Sequence, residues 1–80
     1  MDIGEAVRQR ILELCRQNSL SVNRLCSLSG VTQSTVNNII SGRNNSTTVS
    51  TIKKLCDGLG ISVGEFFSSE LFTHLEQEVK

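Results

Sequence analysis

The side chains in this chain that could do nucleophilic or metal chemistry are few. Cys15, Cys26 and Cys56 are odd in number and widely spaced, with no Cys-x-x-Cys pair, and the one histidine, His74, lies near the C-terminus. A zinc site needs close ligand pairs, usually with histidine. A nucleophilic cysteine needs a histidine and a carboxylate close by in the fold. Each cysteine instead falls where an apolar pattern calls for a small hydrophobe, and is expected in the core. No phosphate-cradling glycine loop and no paired-carboxylate arrangement stands out. No catalytic, metal or cofactor residue is therefore expected, nor a small-molecule ligand, and an enzyme is excluded.

A second group of residues points elsewhere. Thr32, Gln33, Ser34, Thr35, Asn37 and Asn38 crowd amides and hydroxyls into one short stretch without an acid. An amide side chain presents a paired donor and acceptor, which match the major-groove edge of adenine. Solubility alone explains this composition poorly. Ser, Thr and Asn are mediocre helix formers, and Lys or Glu would solubilise a helix better.

Net charge is zero, but its distribution is uneven. Between Glu13 and Asp57 there is no acid, while Arg16, Arg24, Arg43, Lys53 and Lys54 lie there. Such asymmetry in a neutral chain points to an anionic partner. For Lys53 and Lys54 a solvated face is the preferred reading.

Elements that would position these residues follow from periodicity. Ile3, Val7, Ile11, Leu14 and Cys15 mark one face of a first helix, with Asp2 as N-cap, Glu5 at capping-box spacing, and an end at Asn18-Ser19. Ser21 opens a second helix carrying Val22, Leu25, Cys26 and Leu28. Gly30 supplies the φ > 0 residue of a tight turn. Thr32 caps a third helix with Val36, Ile39 and Ile40 inward, terminated at Gly42. After a polar loop, residues 43–47, Thr48 or Ser50 caps a fourth helix carrying Val49, Ile52, Leu55, Cys56 and Leu59 on its apolar side, which Gly58 weakens and Gly60 ends. Ser62 and Glu65 form a second capping box, and Ile61 with Phe66 has staple spacing, for a fifth helix from Val63 to about Phe67. Leu71, Phe72, Leu75 and Val79 again have helical spacing. No strand pattern persists, and the absence of proline suits an all-helical chain.

Eighty residues, 38% apolar and 20% charged, make one small domain with one core. No stretch approaches the roughly 20 apolar residues of a membrane span. The N-terminus lacks the basic start and apolar run of a signal peptide, so the cytoplasm is expected.

Two short helices around a glycine-centred turn match a helix-turn-helix. Leu25 plugs the core, Cys26 stays small where the helices cross, and Val31, Val36 and Ile39 anchor the second helix. With the pieces LSVNRLCSLSGVTQSTVNNIISGR and TVSTIKKLCDGLGISVGEFF, the chain resembles the phage repressor and Cro-type, Xre-like helix-turn-helix family from about Ile3 to Phe67. The resemblance implies an all-α, compact five-helix bundle, residues 1–67, that binds double-stranded DNA. Residues 68–80 would form a short C-terminal helical extension, a candidate sixth helix that either packs on the bundle or makes a dimer contact.

By position, the resemblance implies base contacts for Gln33, Ser34 and Asn38, with Asn37 nearer the rim. It implies phosphate contacts for Asn23, Arg24, Thr32, Thr35, Arg43, Asn44 and Asn45. Family members usually bind palindromic operators as dimers, and Phe67, Leu71, Phe72 and Leu75 are the candidate dimer contacts. The acidic tail is expected to keep away from the DNA face. Two departures from the family stand out: Val22 where many members place Gln, and Thr47 where Pro often precedes the fourth helix. A transcriptional repressor is the leading reading. The alternative is a protein-interaction module, an antitoxin or regulator antagonist, using the C-terminal apolar stripe.

Overall fold

In the computed structural model, which describes residues 1–43 and 46–79, five helices follow one another: α1 (Ile3–Gln17), α2 (Val22–Ser29), α3 (Gln33–Ile40), α4 (Val49–Leu59) and α5 (Val63–Phe67). A single 3-10 turn, Glu70–Phe72, follows, and there is no strand among the described residues. The helix starts follow the cap chemistry. Asp2, Ser21, Thr32, Thr48 and Ser62 each accept the backbone N–H three residues on. Thr48, not Ser50, caps α4. The capping box is complete only at Ser62 and Glu65. At the first helix Glu5 turns instead to Arg8 and Gln9.

Gly30 and Gly60 end α2 and α4 in the left-handed conformation, with φ of 70° and 72°. A side chain there would be strained. Gly58 has a different role from the weakening expected of it. It lies inside α4, and a Cβ there would sit 2.9 Å from both the backbone nitrogen and the Cβ of Ser29. It is the point at which α4 presses its backbone against the end of α2.

One core joins the helices. Val7, Ile11, Leu14 and Cys15 of α1 meet Leu25 and Cys26 of α2, Val36 and Ile39 of α3, Ile52, Leu55 and Cys56 of α4, and Phe66 of α5. Among the described residues the one buried charge is Arg10, which shares the apolar register of α1 at Val7 and Leu14. Its Nε donates to the Phe66 carbonyl at 2.6 Å and its Nη2 to the Glu65 carbonyl at 2.8 Å. Nη1 donates to the Glu13 carboxylate. Arg10 thus satisfies the Phe66 carbonyl at the end of α5 and gives a second donor to the Glu65 carbonyl, which also accepts the Ser68 N–H at 3.2 Å. Apolar periodicity does not single out Arg10, because its partners are backbone carbonyls more than 50 residues away.

All three cysteines are buried and free. Burial is the main cause that pushes each thiol above its ordinary value of 9.0, with Cys26 adding to the effect on Cys15. They are neutral hydrophobes at physiological pH, as their place in the apolar pattern implies.

The extension departs from expectation. The spacing of Leu71, Phe72, Leu75 and Val79 predicts a sixth helix, but helical structure stops after the three-residue turn. Phe72 turns inward to lie 4.9 Å from the Phe67 ring and 6.3 Å from Phe66. Val79 stays 85% exposed, so a continued helix would bury nothing at its end. The chain instead runs back to its start: the Glu76 N–H donates to the Met1 carbonyl at 3.1 Å, and the Met1 ammonium faces the Glu76 carboxylate at 3.6 Å.

Three predictions follow from this packing. Gly58→Ala should lower stability by about 1–3 kcal/mol in urea unfolding, because backbone must move. Helix propensity alone predicts a gain of about 1 kcal/mol, and a gain would show that the crossing is loose. A thiol reagent at pH 8 should label the native chain only as fast as it opens, and all three cysteines at once when unfolded. Since the folded state holds its thiols neutral, stability should be full below pH 9.0 and fall as the pH rises above it, where the unfolded chain ionises first.

Candidate nucleic-acid interface

α3 stands on α1 and α2 by one side only. Val36 and Ile39 are buried, Thr35 and Ile40 half-buried, and Gln33, Ser34, Asn37 and Asn38 exposed. At about 100° per residue, those four side chains share an arc of roughly 140°. They form one continuous face, not a scatter.

The face is held by its own start. The Thr32 hydroxyl oxygen accepts the Thr35 N–H at 3.3 Å and lies 2.8 Å from the Thr35 hydroxyl. Both threonines are thereby fixed at the helix entrance, where the first-turn N–H groups have no helical acceptor. At the other end the Ser41 hydroxyl donates to the Asn38 carbonyl at 3.3 Å, and Gly42 turns the chain with φ 81°. Among the described residues the side chains of Gln33, Asn37 and Asn38 make no hydrogen bond. The amides are presented, rigidly carried and uncommitted.

Basic residues border this face in sequence. Arg24 is exposed in the first turn of α2 beside exposed Asn23, and Arg43 is exposed just past α3. Among the described residues, Arg16, Arg24, Arg43 and Lys54 have no ion-pair partner. Lys53 pairs with Asp57 one turn on, and that hydrogen bond raises its pKa. It is therefore the least available of the five cations, in keeping with the solvated-face reading. Asn44 and Asn45 lie outside the described residues.

Val22, where a glutamine is common in the resembled family, is half-buried against the core. α2 is seated there by apolar packing. The four tail candidates, Phe67, Leu71, Phe72 and Leu75, are all half-buried. Phe67 and Phe72 pack ring edge to ring face at 4.9 Å. Beside them is a groove of about 290 Å³ lined chiefly by Ile3, Val7, Val49, Ile52 and Phe67. Val49 is 74% exposed, a surface apolar residue that the sequence reading had placed inward. Glu78 lines the same groove together with Ser46 and Thr47. Glu78 of the acidic tail thus faces the same groove as the residues that lead into α4.

Residues 10–70 match the family model of the Cro/C1-type helix-turn-helix DNA-binding domain. Over 67 residues, 84% of this chain, it is 39% identical to the HTH-type transcriptional regulator PuuR of Escherichia coli strain K12 and to that of Shigella flexneri. The aligned part is 36% of those proteins, so the chain spans about a third of the length of the curated relatives it matches. The crystal structure of the prophage Lp1 protein 11 superposes with a TM-score of 0.81 at 41% identity, covering 94% of this chain and 100% of that one.

Proposed function

This chain belongs to the Cro/C1-type helix-turn-helix DNA-binding family, a non-enzymatic one, and on that premise we propose that it is a sequence-specific transcriptional repressor. It docks α3 in the major groove of double-stranded DNA and blocks transcription by occupying its operator, in the cytoplasm. The observation that carries this reading is the exposed face of Gln33, Ser34, Asn37 and Asn38, whose three amides are uncommitted among the described residues. An α-helix is about 10–12 Å across and the major groove about 12 Å wide, so such a face meets base edges.

In this reading Gln33, Ser34 and Asn38 touch bases, with Asn37 nearer the rim. Thr32, Thr35, Asn23, Arg24 and Arg43 hold phosphates, as do Asn44 and Asn45 in the loop. The first-turn N–H groups of α2 and α3 add their dipoles to those contacts. Residues 1–67 do the binding. Residues 68–80 close the bundle and, with the groove at Val49, offer the apolar edge for a second copy. Two copies on half-sites about 34 Å apart convert weak single contacts into useful affinity. The alternative is a protein-interaction module, an antitoxin or regulator antagonist, that uses the same C-terminal edge and binds without the steep salt dependence of a DNA contact.

Arg43→Ala should weaken binding to all duplexes alike and flatten the salt slope by about one. Asn38→Ala should leave the fold intact and relax preference at one base position by about 1–3 kcal/mol. Competition binding over a range of salt checks both, and parental behaviour in both variants would remove the face from the interface. Glu78→Lys should raise affinity several-fold at low salt, with the gain fading at high salt, because a carboxylate beside Ser46 and Thr47 repels the same phosphates. An unchanged affinity at low salt would place the duplex away from that groove.

A further inference from the structure

Each side chain exposed on α3 is neutral. The helix reads Gln-Ser-Thr-Val-Asn-Asn-Ile-Ile and holds no Lys, Arg, Asp or Glu. In the major groove guanine is read chiefly by a bidentate Arg or Lys on O6 and N7, and cytosine by a carboxylate accepting from N4. Adenine is read by an Asn or Gln amide spanning N6 and N7. The exposed arc thus lacks the residues for a G·C pair and carries three for adenine.

Geometry favours their use. Gln33 and Asn38, the two ends of the exposed arc, are five residues apart. That is a rise of about 7.5 Å along the helix, against about 3.4 Å between successive bases on a strand. Amides so placed reach different base pairs, not a single one. Buried Val36 and Ile39 fix the rotation of the helix, and the Thr32–Thr35 hydroxyl pair fixes its entrance. Among the described residues no intramolecular hydrogen bond must break before the amides of Gln33, Asn37 and Asn38 engage. The nearest cations in sequence, Arg24 and Arg43, lie off α3 and serve phosphates.

We infer that the base pairs read by α3 are A·T pairs, with adenines held through N6 and N7 by the amides of Gln33 and Asn38. The inference rests on the major-groove reading above and names the chemical class of operator which that reading leaves open.

The test is selection of bound duplexes from a random pool by the full chain, then 7-deazaadenine replacement at each enriched adenine, which removes only N7. Enriched half-sites should carry adenines at two or more positions. Loss of N7 at a read adenine should weaken binding about five- to a hundredfold. The same replacement should cost nothing further in Asn38→Ala or Gln33→Ala, whose folding is checked by circular dichroism. Asn38→Arg should move the preference at its position from adenine to guanine. Enriched sites whose α3-dependent positions are G·C pairs, or full tolerance of 7-deazaadenine, would overturn the inference and leave DNA binding standing. If no duplex is enriched above the pool, the DNA reading falls and the inference falls with it.

Discussion

The close approach of α4 to the end of α2 is the constraint on which the interface depends. Only a hydrogen at Gly58 lets the α4 backbone lie against Ser29. Ser29 directly precedes Gly30, the left-handed residue that launches the chain into α3. The position of the turn, and with it the angle of α3, is therefore set by a backbone contact and not by a flexible side chain. Leu25, Val31, Val36 and Ile39 then pack the two helices into the shared core. Close-packed interiors transmit such placement with little slack. The proposed docking in a groove needs that rigidity, since a base contact tolerates only small errors of position.

A second design principle is what the middle of the chain omits. The absence of acid between Glu13 and Asp57 spans α2, α3 and most of α4. Acids in α1 are largely committed: Glu5 to Arg8, and Glu13 to the buried Arg10. In this neutral chain the exposed Arg24 and Arg43 thus flank a neutral face in sequence. In the proposed reading they attract phosphate without regard to base sequence, and the amide face discriminates. Glu78 is the exception, lodged beside Ser46 and Thr47.

Much of this arrangement is legible in sequence because local chemistry and global packing agree. Caps at Asp2, Ser21, Thr32, Thr48 and Ser62, stops at Gly30, Gly42 and Gly60, and helical apolar spacing mark all five helices. The alternation of buried and exposed positions on α3 is legible for the same reason, since Val36 and Ile39 leave Gln33, Ser34, Asn37 and Asn38 only one side to occupy. What is not legible depends on contacts between distant segments. Arg10 lies 56 residues from the Phe66 carbonyl it caps. Gly58 looks like a helix weakener until Ser29 is found against it. The tail has helical spacing, yet Phe72 gains more by joining Phe66 and Phe67 than a short uncapped helix would return. Spacing also put Val49 inward, where the groove leaves it in solvent.

The central claim is that the amide face of α3 is the surface that meets DNA. It is tested most directly by titrating the ¹⁵N-labelled chain with its selected duplex and following the side-chain NH₂ resonances of Gln33, Asn37 and Asn38. The account predicts that these signals move first and furthest, together with the backbone amides from Thr32 to Arg43, while those of Leu71 to Leu75 keep their places. Stationary side-chain amides on α3, with the large shifts gathered in α1 or the tail, would contradict it.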